Sequence, residues 1–167
     1  MIDLHNRCLD TFPEWLRTLG SDATELGVLL GSDLPEHARR HVAGGLNYLF
    51  KSLDLIPDGI EDLGYLDDAF VIRVAADRAI KHTPAAREQP VLARLAGETA
   101  LVSELLGKDY VRLERYVEEL TRGAARGRTV DEILGDEGVR SAFLIELSAW
   151  SSGYEAPSFT RDEKNII

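Results

Sequence analysis

Between Asp54 and Asp68, in the stretch LDLIPDGIEDLGYLDDA, stand six carboxylates and no lysine or arginine: Asp54, Asp58, Glu61, Asp62, Asp67 and Asp68. Hard divalent cations recruit oxygen ligands, six to eight of them in the case of Ca²⁺. Asp54, Asp58, Asp67 and Asp68 are therefore a candidate Mg²⁺ or Ca²⁺ site, provided the turn between them brings two helix ends together. Repulsion among such close carboxylates would call for a cation or a proton. The spacing does not follow the calcium-loop pattern D-x-[DN]-x-[DN]-G. A second reading gives each residue a backbone task. Asp54 accepts turn N–H groups, Asp58 and Glu61 have capping-box spacing, and Asp67 and Asp68 sit where the helix macrodipole favours negative charge. Pro57 and Gly59 then shape the turn, and Gly64 supplies a positive φ before Tyr65. Of the two, the architectural reading is preferred.

EHARRH offers a second candidate, with His37 and His41 one helical turn apart. Two imidazoles at this spacing can start a transition-metal site, but a third ligand must come from elsewhere. The H-E-x-x-H pattern is absent, since Ala, Arg and Arg intervene. A helix from His37 to Leu53 is ~24 Å long at 1.5 Å per residue. An antiparallel successor would carry its C-terminal half, near Asp77 and Lys81, back toward these histidines, leaving Asp67 at the far end. Surface or capping roles are expected for both. Ser103, Ser141 and Ser148 lack a G-x-S-x-G turn, and no phosphate loop or GxGxxG motif follows a strand. Cys8, the single cysteine, reads as a small core hydrophobe and cannot form an internal disulfide.

The elements that would position these groups read as helices. TFPEW resembles a capping box with an early proline, starting a helix that ends near Gly20. A short helix from Ser21 or Asp22 to Leu30 follows. Ser32 or Asp33 caps the next, with Pro35 in its first turn and Ala38, Val42, Leu46, Leu49 and Leu53 as its apolar stripe. It must stop before Pro57. The segment from about Leu66 to Lys81 is apolar around most of its circumference and belongs at the centre of a bundle. Gly44 and Gly45 in mid-helix imply close approach of a neighbouring helix, or a local kink. Further helices are expected at about Val91–Leu106 and Asp109–Arg122, near Ile133 after a capping box at Thr129–Glu132, and around Val139–Trp150. Trp15 and Trp150 read as core anchors. No stretch alternates long enough for a strand. The expected fold is all-α: one compact bundle of about six to eight helices over residues 1–151, with a central hairpin across the acidic motif and a polar tail at 152–167.

A net charge of −10 works against phosphate neutralisation, so nucleic acid is not an expected partner, and anionic membrane docking is disfavoured. No segment reaches the length of a membrane span, and MIDLHNRCLDTF has no signal-peptide pattern. A cytoplasmic location is expected.

DLIPDGIEDLGYLDD resembles the signature of the YkvA-like family, a bacterial domain of unknown function built around DLIPD-x-IP-x-LGYLDD. The likeness centres on residues 37–82, with Glu61 where a second proline is common. It implies a helical hairpin across the motif. It also implies a third possibility, peripheral membrane association, since many relatives look membrane-bound here. Three functional readings emerge. The first is a non-enzymatic protein-interaction module without a cofactor, with a protein partner or a second copy, docking partly through Tyr154, Phe159, Ile166 and Ile167. The second is a divalent-metal-dependent hydrolase or metal switch using the acidic stretch. The third is membrane association.

Overall fold

The computed structural model describes residues 2–50, 64–125 and 127–155. Asp54, Pro57, Asp58 and Gly59 lie outside the described residues, as does most of the expected tail. Eight α-helices are described: α1 (Ile2–Val28), α2 (Glu36–Tyr48), α3 (Gly64–His82), α4 (Pro90–Gly97), α5 (Thr99–Leu106), α6 (Tyr110–Leu120), α7 (Val130–Gly135) and α8 (Glu137–Gly153). The all-α bundle is thus as expected. Three 3₁₀ turns (Leu29–Gly31, Pro84–Glu88 and Gly107–Asp109) and a short antiparallel bridge, β1 (Ala124–Ala125) with β2 (Arg128–Thr129), join the helices among the described residues.

The first two expected helices are one. Cys8, Phe12, Trp15, Leu16, Leu19, Ala23 and Leu26 are all buried, and their spacing runs unbroken past Pro13 and Gly20. Burial along this face overrides the local break signals, because tertiary packing supplies most helical stability in proteins. Conversely, the expected helix over 91–106 is divided at Glu98 into α4 and α5. No side chain caps α2, whose N-cap is Pro35. The Ser32 hydroxyl accepts instead from the Leu34 N–H. At α7 the reading holds: Thr129 and Glu132 form a reciprocal capping box. The Asp136 carboxylate, unforeseen, caps α8 through the Val139 N–H.

α2 and α3 form the centre, with α6 and α7 against α2 and with α1, α4 and α6 against α3. The two mid-helix glycines explain how closely these helices sit. A Cβ on Gly44 would lie 3.0 Å from the Leu120 carbonyl on α6, and one on Gly45 would lie 2.9 Å from the Ala75 Cβ on α3. Any larger residue would push one helix away from α2. Phe12, Trp15 and Phe70 pack edge-on or tilted at centroid distances of 5.1–6.1 Å, joining α1 to α3.

Two expectations about aromatics change. Trp150 is only partly buried, and it stacks on Tyr154 at 5.2 Å, with Tyr65 edge-on to Tyr154. The Tyr154 hydroxyl donates to the Leu16 carbonyl, so this residue closes α8 onto α1 and is not a free anchor. Burial, then the nearby Tyr65 and Asp68, pushes its phenol above the usual range. Phe159, Ile166 and Ile167 lie outside the described residues.

Candidate metal centre

His41 is buried, 3% exposed, in the middle of α2, contrary to the surface or capping role expected of it. The reason lies in the approach of α6, which Gly44 permits one turn further along. His41 Nδ1 lies 2.8 Å from the His37 carbonyl oxygen. A carbonyl accepts only, so Nδ1 carries the proton there. In the neutral ring Nε2 then presents a lone pair. That lone pair points at the Glu118 carboxylate, 3.1 and 3.2 Å from its two oxygens. A proton or a metal ion between Nε2 and the carboxylate would satisfy both groups.

His82, the last residue of α3, completes the group. Its Nε2 lies 3.0 Å from Glu118 Oε1. Ligand atoms of His41, His82 and Glu118 all fall within 4.8 Å of one another. A tetrahedral Zn²⁺ with bonds of ~2.0–2.1 Å needs donors about 3.3 Å apart, and two histidines with one glutamate form a known ligand set. The backbone bond at Nδ1 is the kind of support that metal-bound histidines ordinarily receive. His37 stands outside this set, yet its ring stacks on His82 at 5.7 Å and on His41 at 6.3 Å. Expectation and structure agree on one point: the histidines meet the C-terminal end of α3.

Two further cations reach this group from α3. Arg78 Nε donates to Glu118 Oε1 at 2.7 Å, and its Nη1 lies 3.7 Å from Glu114 Oε2. Lys81 pairs with Asp77 at 3.0 Å and lies 3.7 Å from Glu114. Partial burial of Glu118 would raise its pKa. The Arg78 hydrogen bond and the two histidines prevail and hold it at about 2. Glu118 is ionised at any physiological pH.

Asp67 and Asp68, the described members of the acidic stretch, stand elsewhere. Gly64 and Tyr65 open α3, followed by Asp67, which is buried, and Asp68, which is half-buried. Asp67 lies with Phe70, Leu113 and Tyr116 on the wall of a cleft of about 480 Å³. Burial first, then the charges of Glu119 and Asp67, raises the Tyr116 phenol. Asp67 is fifteen residues before His82, ~22 Å along α3. Asp67 and the histidine group therefore lie toward opposite ends of one helix.

Glu118, Arg78 and His82 were not singled out from the sequence. His82 follows Lys81 directly, so the antiparallel argument pointed within one residue of it. Glu118 is 77 positions from His41, and no local pattern links them. Among the described residues no helix is long and apolar enough to cross a membrane.

A family model described as a protein of unknown function (DUF1232) matches residues 38–73, from α2 into α3. No curated protein matches the chain. No solved structure matches it.

Proposed function

We propose that this chain is a YkvA-like, non-enzymatic helical module that binds a divalent transition metal through His41, His82 and Glu118 and presents the result to a protein partner. The observation that carries this reading is the convergence of His41, His82 and Glu118 ligand atoms within 4.8 Å of one another, with His41 Nδ1 held at the His37 carbonyl. Nitrogen-rich donor sets suit Zn²⁺, Co²⁺ or Ni²⁺ better than Mg²⁺ or Ca²⁺. That chemistry favours the histidine end of α3 over Asp54, Asp58, Asp67 and Asp68 as the place where a metal switch operates. The bundle around the site supports the non-enzymatic part. Glu118, the one carboxylate of the set, is engaged by Arg78, His41 and His82, which leaves it poorly placed as a general base.

The test is titration of tag-free protein with Zn²⁺ by calorimetry, with metal content checked by mass spectrometry. One equivalent should bind. His82→Ala should lower affinity roughly tenfold or more with an unchanged circular dichroism spectrum, since His82 is exposed. Binding that survives His82→Ala and disappears in Asp67→Asn would move the site to the acidic stretch and overturn this assignment.

A further inference from the structure

Arg78 poses a question that the metal reading leaves open, and the answer rests on that reading. His82 Nε2 and Arg78 Nε meet the same carboxylate oxygen, Glu118 Oε1, at 3.0 and 2.7 Å, so a metal held between His82 and that oxygen meets Arg78 there. A guanidinium and a divalent ion sharing one oxygen repel each other strongly in a half-buried site. A metal on that oxygen would therefore loosen the Arg78 bond. The structure supplies a place for Arg78 to go, because its Nη1 is already 3.7 Å from Glu114 Oε2. Glu114 lies one helical turn before Glu118 on α6, and both carboxylates face α3. Glu114 is also approached by Lys81, which keeps a nearer partner in Asp77 at 3.0 Å. Glu114 can thus take Arg78 while Lys81 stays paired.

We propose that Arg78 is a built-in competitor for the metal: it neutralises Glu118 when the site is empty of metal and moves one turn along α6, to Glu114, when a metal binds. No covalent bond changes; one ion pair is exchanged for another. The charged and titratable groups that face Glu118 are His37 and His41 from α2, Asp77, Arg78, Lys81 and His82 from α3, and Glu114 on α6 itself. Arg78 is the cation among them that holds Glu118 directly without being a ligand. The arrangement makes binding weaker and more readily reversible than three preformed ligands alone would give. It also converts occupancy into a change in how α3 and α6 are joined, which a partner can read. Arg78 is a positioning residue in this account, since it acts through Glu118.

The exchange predicts opposite effects from two neighbours. Arg78→Gln removes the competitor and should strengthen Zn²⁺ binding roughly tenfold, within the usual range of coupling between two ligands. Glu114→Gln removes the alternative seat and should weaken Zn²⁺ binding by a similar factor. The double variant should resemble Arg78→Gln, because Glu114 matters only while Arg78 must be housed. Calorimetry with Zn²⁺ alone gives the affinities, and circular dichroism confirms the fold of each variant. A merely structural Arg78 would make Arg78→Gln bind more weakly. Equal or weaker binding in Arg78→Gln, with Zn²⁺ still bound by the wild type and lost in His82→Ala, overturns the exchange and leaves the metal site standing. Failure of both the wild type and Arg78→Gln to bind overturns the metal site and the exchange together.

Discussion

Two arginines on α3, five residues apart, each gather carboxylates from other helices, and they do so to different ends. Arg73 is fully buried, 0% exposed. Its Nη1 donates to the Ala69 carbonyl at 3.0 Å, its Nε lies 3.2 Å from Glu98, and its guanidinium stacks 4.1 Å from the Trp15 ring. Asp22, 3.8 Å away and itself buried, is held by Arg94 at 2.6 Å. Burial lowers the Arg73 pKa to about 10, which still leaves it charged at neutral pH. This cluster ties α1, α3 and α4 together around one fully buried guanidinium. Arg78 sits among Glu114, Glu118, His41 and His82 with about a quarter of its side chain exposed. There Arg78, His41 and His82 share one oxygen of Glu118, and His41 Nδ1 is held at the His37 carbonyl. The first cluster joins helices around a buried guanidinium, whereas in the second two imidazoles and a carboxylate converge within 4.8 Å.

If that contrast is sound, Arg73→Ala should have the largest effect on stability. Removing one partner of a buried ion pair strands the others and costs about 3–5 kcal/mol, to be read from chemical denaturation. Arg78→Ala should cost far less, because its carboxylates retain other cations and water. Equal losses for the two arginines would erase the distinction between the clusters.

Gly44→Ala should come next. Its methyl would meet the Leu120 carbonyl at 3.0 Å, and backbone yields poorly, so a net loss of about 1–3 kcal/mol is expected despite the better helix propensity of alanine. Because α6 carries Glu118, the same variant should also weaken Zn²⁺ binding. A stable Gly44→Ala protein with unchanged affinity would show that the site tolerates displacement of α6.

Acid should separate the clusters more finely. The folded pKa of Glu118, about 2, is below its unfolded value of ~4.3. A depressed carboxyl contributes stability that is fully present above the unfolded pKa and is lost as pH falls through the folded one. Denaturation midpoints should therefore decline between about pH 4.3 and about 2, and Glu118→Gln should make that decline shallower. An unchanged slope would mean that the Glu118 bonds contribute little. The smallest effect belongs to the exposed pair Arg7–Glu104, at 2.8 Å. Arg7→Gln should leave the melting curve within its scatter, as surface ion pairs generally do.

Local chemistry was legible in the sequence, and long-range meeting was not. The Thr129 capping box could be read because both partners are three residues apart. Gly44 and Gly45 signalled close packing, but not which helices approach. Pro13 misled, because the buried stripe of α1 outweighed one missing N–H. The acidic stretch drew attention through density of charge, whereas the histidine site uses one residue from each of three helices, and nothing in the chain between positions 41, 82 and 118 announces that they converge. Only the antiparallel run of α2 and α3 hinted at it.

The most direct measurement is X-ray absorption on the Zn²⁺-loaded protein. The account predicts two imidazole nitrogens and at least one carboxylate oxygen around the metal, with the imidazole signal reduced to one in His82→Ala. A shell of oxygens without imidazole scattering would contradict it, and would return the metal to the carboxylates at the other end of α3.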